Sequence, residues 1–318
     1  MRVLIYGGGA VGLGIASCLI RPENRVEIVA REETAAALQS AGLHRTGIFG
    51  PFQAKSESFE CHISLDDVGG PFDLVLVCTK SFDSASAAQD LAAHADRIGK
   101  RAGLVLFQNG WGNAEIFCAQ FEKHRVYNAR VITGFRRHQP NEVEITVHAD
   151  AIRIGSLFGG DLSAMANLCR TIRAGGIPCE KTDAIEKDLW AKMLYNCALN
   201  PLGAILGVPY GALAQRATTR GLMDRIVAEA FAVMRAAGYR THWPSAGEFL
   251  DVFYERLVAD TAGHKSSMLQ DIAAGKRTEI DALNGAVVKL AATHALDVPY
   301  NHTVCNLIRF IESRRSEC

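Results

Sequence analysis

Lys192, Asn196 and Asn200 stand in the otherwise apolar run WAKMLYNCALNP at positions 190–201, and their types and spacing could do chemistry. Steps of four on a helix of 3.6 residues per turn put all three side chains on nearly one stripe. The intervening Met193, Leu194, Cys197 and Leu199 read as buried. Burying an amide or ammonium without a partner costs about 1 to 7 kcal/mol. Such a stripe either makes a hydrogen-bond row against another helix or lines a site for a polar small molecule. In a site, the ammonium would offer a proton and a positive charge to an oxygen that becomes anionic, as a carbonyl oxygen does when hydride is added to its carbon.

A second group is built from backbone. Gly7-x-Gly9-x-x-Gly12 follows the β-prone run at 3–6 and opens helical spacing at 13–19. In that context the first glycine permits a tight turn, the second lets the backbone approach a pyrophosphate, and the third allows close helix packing. The amides of residues 7–12, that is Gly7, Gly8, Gly9, Ala10, Val11 and Gly12, are then the candidate phosphate cradle of a dinucleotide. The next strand ends in Val29-Ala30-Arg31. An arginine there, with no acid before it, favours a ribose 2′-phosphate and hence NADP, although a solvated surface cation is the alternative. Glu32 and Glu33 follow and suit the first turn of a helix.

Other polar residues fall where such a sheet would present them. Thr79-Lys80 follows the third strand, which makes Lys80 a candidate cofactor contact; Asn109, in Gln108-Asn-Gly-Trp-Gly112, follows the next and could bridge cofactor and substrate or simply serve a turn. Farther on, Ser267 with Gln270 and Thr278 with Asp281 read as helix capping pairs, as does Asp183 with Glu186, and Glu279 suits a first helical turn. Ten histidines without HExxH spacing and acids without a calcium-loop pattern indicate no metal. The absence of GxSxG leaves hydrolase chemistry unsupported.

The elements that must position these groups fall into two kinds. Strands at 3–6, 25–30, 72–78, 104–107 and 125–133 alternate with helices at 13–19, 33–39, 84–95 and 113–121, then come strands at 143–147 and 151–154 and a helix at 162–174. This is an α/β Rossmann-type domain with a mainly parallel sheet, placed at 1–180. From 181 to 318 the spacing is helical, with helices at 216–237, 245–260, 268–274, 278–294 and 304–313, so an all-α domain for substrate binding and catalysis is expected. A chain of 318 residues suits two such domains, and 48% hydrophobic residues suffices for their cores. Lys and Arg balance Asp and Glu at 34 each, so no global field draws the protein to nucleic acid or a membrane. Nine scattered cysteines without a CxxC pair, no apolar run of membrane length and no export leader lead to the expectation of a soluble cytoplasmic protein. The apolar stripes of the helical half suit either a monomer or a homodimer packed through its helices.

Taken in order, GGGAVG, Arg31, Thr79-Lys80, Asn109-Gly110, Lys192 with Asn196 and Asn200, SSMLQD at 266–271 and Thr278-Glu279-Ile-Asp281 resemble the ketopantoate reductase family over nearly the whole chain. The resemblance implies NADPH-dependent reduction of the 2-oxo acid ketopantoate (2-dehydropantoate) to pantoate for pantothenate and coenzyme A synthesis. It implies Lys192 as general acid and Glu279 as the second catalytic residue, orienting the lysine or holding the substrate hydroxyl. Asn196, Asn200 and Ser267 would bind substrate, Asn109 would sit at the nicotinamide end, and the glycine turn, Arg31 and Lys80 would bind cofactor. With cofactor on one domain and the lysine on the other, the site is expected in a cleft that closes over substrate.

His264 stands where many relatives have an asparagine, three residues before the second serine of the SSMLQD block, a position that in the resemblance helps form the substrate pocket. Together with Trp111 it leaves another 2-oxo acid open. A β-hydroxyacid or opine-type dehydrogenase is the nearest alternative, and a non-enzymatic NADP sensor is the alternative from another class.

Overall fold

A computed structural model describes residues 1–314; Cys318 lies outside the described residues. The chain divides into two compact units, one made of 1–108 and 113–185, the other of Asn109–Gly112 and 186–318.

The first unit carries ten strands, β1 (Arg2–Tyr6), β2 (Arg25–Val29), β3 (Leu43–Gly47), β4 (Phe52–Ala54), β5 (Glu60–His62), β6 (Leu74–Val77), β7 (Gly103–Leu106), β8 (Val126–Gln139), β9 (Glu142–Gly155) and β10 (Cys179–Lys181). Its helices are α1 (Ala10–Leu19), α2 (Glu32–Ala41), α3 (Ser84–Ala93), α4 (Ala95–Ile98), α5 (Asn113–Cys118) and α6 (Ser163–Ala174). The sheet order is β4-β3-β9-β8-β7-β6-β1-β2-β5, with β10 on β9. Pairing is parallel from β8 through β5, and antiparallel only in β8–β9 and β3–β4. β1, β6 and β7 are apolar on both faces because helices cover both sides of a parallel sheet: Val3, Leu4, Ile5, Val75, Leu76 and Val105 are all fully buried. Chain order reverses direction about β1, with β2 on one side and β6 on the other, and ligands bind such sheets outside the carboxyl ends of the strands beside that point.

The readings at 143–147 and 151–154 prove to be one strand, β9, which pairs along the length of β8 through several register shifts. The distal part of β8 is exposed and polar, ending Arg136-Arg137-His138-Gln139, so it lacks the apolar alternation that would have extended the expected strand beyond 133. β3, β4, β5 and β10 were not foreseen: they are only three to five residues long, too short to show a clear apolar run or alternation.

The second unit is helical: α7 (Ile185–Leu206), α8 (Tyr210–Ala214), α9 (Ala217–Ala236), α10 (Ala246–Val252), α11 (Ser267–Ala273), α12 (Asn284–Thr293) and α13 (Pro299–Ser313). A π-helical segment at Phe253–Val258 continues α10 where an unbroken helix over 245–260 was expected. The expected capping boxes do not form. Glu186 accepts instead from the Arg240 amide at 2.9 Å, while Thr182 Oγ1 receives the Ala184 amide. Thr278 Oγ1 receives the Ile280 amide at the start of a single 3-10 turn (Ile280–Ala282), and Asp281 pairs with Arg309, so α12 begins at Asn284 rather than at 278.

α7 runs straight through Pro201. A proline cannot donate to the carbonyl four residues earlier, here that of Cys197. Asn284 Nδ2 donates to that carbonyl at 3.0 Å and to Asn301 Oδ1 at 3.0 Å, while Asn301 Nδ2 reaches the Ile226 carbonyl and Glu229. A buried amide network thus replaces the missing backbone bond and joins α7, α9, α12 and α13.

Candidate active site

Lys192, Asn196 and Asn200 lie on α7 as the spacing predicts, with Trp190, Leu194, Cys197 and Leu199 fully buried around them. Lys192 Nζ donates to Asn109 Oδ1 at 2.5 Å, and Asn109 Nδ2 donates to Glu279 Oε2 at 3.1 Å. The amide can face only one way here, oxygen toward the ammonium and nitrogen toward the carboxylate, and so it fixes an ordered line of cation, amide and anion. Glu279 is 6% exposed, which makes this charge-assisted contact stronger than it would be in water.

The segment that brings Asn109 to this line is tightly specified. Gly110 has φ +90, and a Cβ there would lie 2.3 Å from the Ala282 carbonyl oxygen; the next amide, of Trp111, donates to that same oxygen at 2.9 Å. Trp111 then packs against Trp190 and Tyr239, with ring centroids 4.8 and 4.7 Å away. Trp111 therefore belongs to an aromatic cluster that anchors the turn carrying Asn109. Ala282 lies three residues beyond Glu279, so one short stretch holds both the turn and the carboxylate.

Asn200 Oδ1 accepts from the Tyr210 hydroxyl at 2.6 Å, leaving the amide nitrogen of this nearly buried side chain to other partners. Burial, reinforced by Tyr195, pushes the Tyr210 phenol well above its usual range. The Tyr210 ring meets the rings of Tyr195 and His264 edge-on, at 5.6 and 5.2 Å. Burial also pushes the Tyr195 phenol up to about 12, and its hydroxyl pairs with Thr261 Oγ1 at 2.6 Å. Asn196 is 8% exposed, and its amide has no hydrogen-bond partner among the described residues. That amide therefore has donor and acceptor capacity to offer a ligand.

The capping serine of α11 is Ser266, not Ser267: its hydroxyl receives the Leu269 amide and donates to the Asn200 carbonyl at 3.4 Å. Ser267 is left as the exposed first residue of a helix docked on Asn200. Tyr210 and Ser266 were not anticipated. Their bonds cross between helices, which no single-helix spacing reveals.

The cofactor candidates lie on the first unit. Gly7 has φ +116, and a Cβ on it would lie 2.9 Å from the backbone of Cys78 and Thr79; one on Gly12 would lie 2.0 Å from the Gly7 carbonyl oxygen. Gly9, by contrast, has nothing within 4 Å of such an atom. Gly9 caps α1 without a side-chain bond, and Ala10 and Val11 form the first turn, so the space above Gly9 faces helix amides. That is the cradle a pyrophosphate fits. Arg31 is exposed at the N-cap of α2, with Glu32 and Glu33 in the helix's first turn, and Arg31 makes no ion pair among the described residues. Lys80 follows β6, and its carbonyl is bound by Gln108, whose amide nitrogen also reaches Thr79 and Ser84 and so ties the loops after β6 and β7 together.

Residues 3–159 match the family model described as Ketopantoate reductase PanE/ApbA, and residues 184–312 match its C-terminal counterpart. The 2-dehydropantoate 2-reductase of Aquifex aeolicus is 34% identical over 97% of this chain and 96% of its own length. A PanE/ApbA family ketopantoate reductase from Ralstonia eutropha JMP134 superposes with a TM-score of 0.85 at 32% identity, covering 99% of this chain and 100% of that one. A D-mandelate dehydrogenase structure with NADH and anilino(oxo)acetate shares the fold, with a TM-score of 0.87 at 22% identity over 99% of this chain and 100% of that one. No helix among the described residues is long and apolar enough to cross a membrane. The chain belongs to the ketopantoate reductase family of NAD(P)-dependent oxidoreductases.

Proposed function

We propose that this protein reduces 2-dehydropantoate to pantoate with NADPH, for pantothenate and coenzyme A synthesis in the cytoplasm. The observation that carries the reading is the line Lys192–Asn109–Glu279 beside the unpaired amide of Asn196. Bound NADPH supplies a hydride to the carbonyl carbon of the 2-oxo acid. Lys192 gives its Nζ proton to the carbonyl oxygen, which becomes the 2-hydroxyl, and its charge stabilises that oxygen as negative charge develops. Asn109 holds Nζ in place, and Glu279 holds the Asn109 amide in the one orientation that does so. Glu279 thus acts as a positioning residue through Asn109.

Asn196 and the amide nitrogen of Asn200 offer donors to the substrate's oxygens, with Ser267 beside them. Residues 7–12 would hold the pyrophosphate, Arg31 the 2′-phosphate, and Lys80 the cofactor at the edge after β6.

A second reading, a 2-oxo acid with a different substituent, is favoured by one observation: the His264 ring packs on Tyr210, whose hydroxyl fixes Asn200. Purified protein, NADPH and a panel of 2-oxo acids, followed by loss of nicotinamide absorbance, separates the two. The first reading expects the highest kcat/KM with 2-dehydropantoate; a higher value with an aromatic 2-oxo acid establishes the second, and NADPH binding without turnover of any acid sinks both.

A further inference from the structure

Three consecutive basic residues, Arg136, Arg137 and His138, lie just before the end of β8, and their partners differ. Arg136 and His138, on one face of the strand, share Glu144 at 3.8 and 2.8 Å. Arg137 points the other way, as alternation along a strand requires, and has no acid partner among the described residues. Its Nη1 donates instead to Thr34 Oγ1 at 3.0 Å. Thr34 is 3% exposed in the first turn of α2, three residues after Arg31. The Thr34 methyl lies 3.1 Å from where a Cβ on Gly8 would stand. One small side chain therefore separates the Arg137 guanidinium from the glycine turn, and both arginines meet the same helical turn although 106 positions separate them in sequence.

The charge at this turn makes the placement consequential. Arg31 with Glu32 and Glu33 alone carries one net negative charge, a poor surrounding for a phosphate dianion. Arg137 brings the turn to neutrality, and its planar fork has donors beyond the one given to Thr34. The carboxyl end of the second strand is where a dinucleotide's adenosine ribose is recognised.

We infer that Arg137 is a second cation for the ribose 2′-phosphate and, with Arg31, decides between NADP and NAD. The inference rests on the proposed preference for NADPH. Thr34 sets the position of the guanidinium, and the cation enters the cofactor site from the β8–β9 hairpin, not from the strand that usually supplies it.

Equilibrium binding of NADPH and NADH to the full chain, read by quenching of protein fluorescence, tests this for wild type, Arg31→Ala, Arg137→Ala and Arg137→Lys. Loss of one charged hydrogen bond should weaken NADPH binding by about tenfold or more in Arg137→Ala and leave NADH binding within about twofold. Arg137→Lys should keep part of the preference. 2′,5′-ADP should follow NADPH, and 5′-AMP should follow NADH. An equal loss of both cofactors in Arg137→Ala overturns the inference, because it marks a structural role. An unchanged preference in Arg137→Ala with a lowered one in Arg31→Ala overturns it while leaving the NADPH reading intact. A wild-type protein that binds NADH as tightly as NADPH removes the reading on which it rests.

Discussion

The sheet-bearing unit offers its candidate ligand surface in backbone, whereas the helical unit offers its own in side chains. At Gly7, Gly9 and Gly12 the working feature is a missing Cβ, which lets a turn close on Cys78 and leaves space above the α1 amides. At Lys192, Asn109 and Glu279 the working features are three polar side chains joined in a fixed order. The two designs fail in opposite ways. The first breaks when atoms are added, and the second breaks when they are removed.

The largest expected effect is removal of the proton donor. Lys192→Ala should lower kcat by about 10² to 10⁴-fold, the usual contribution of a positioned general acid, with NADPH affinity unchanged. Comparable turnover in the variant would end the assignment of Lys192. Next comes the amide that holds it: Asn109→Ala removes hydrogen bonds to two charged groups and should cost about 10 to 100-fold in kcat. If the loss falls on KM alone, Asn109 acts in binding and not in positioning the lysine.

The complementary break adds atoms to the sheet unit. Gly9→Ala should weaken NADPH binding by at least about tenfold while leaving the melting midpoint in place, because a methyl group there meets no protein atom. Gly12→Ala, whose methyl would meet the Gly7 carbonyl, should lower the midpoint as well, at the cost of about 1 to 3 kcal/mol typical of overpacking. Equal stability of the two variants would show that the turn yields more easily than its contacts indicate.

Smaller effects concern folding alone. Asn284→Ala leaves the Cys197 carbonyl without its replacement donor and should destabilise the helical unit by about 1 to 3 kcal/mol, measurable by urea denaturation. In the sheet unit, burial alone would raise the Glu27 carboxyl, but the Gly69 amide, Arg2 and His62 outweigh it and hold the group below its usual range. A carboxyl depressed in the folded state stabilises above its unfolded pKa, about 4.3, and that stability is lost as pH falls through the lower folded value. Glu27→Gln should therefore show a shallower fall in melting midpoint below about pH 4.5 than wild type, and parallel curves would remove Glu27 from the account.

What could be read from sequence follows from range. β1, β2, β6 and β7 announce themselves as short apolar runs because each is buried locally, and the α7 stripe does so because helical spacing is local too. Glycine spacing at 7–12 likewise predicts a turn whose close contacts the structure displays. The edge strand β5 reads Glu-Cys-His and carries no such pattern. Nor could spacing join Asn109 to Lys192 across 83 positions, or Tyr210 to Asn200, since those pairings depend on how helices and turns meet. The capping pairs misled for a related reason: hydroxyls and acids near a helix start have several partners within reach, and tertiary contacts such as Arg240 to Glu186 take them first.

The turn Asn109–Gly112 leaves the strand order of the sheet and counts among the residues of the helical unit. Its consequence is one of heredity and of engineering: the boundary between the two halves is not a single point on the gene. A recombinant that joined residues 186–318 to a foreign nucleotide-binding half would inherit Lys192 and Glu279 but not the amide between them, nor the tryptophan that covers Trp190 and Tyr239. A working chimera has to carry those four residues across as an island.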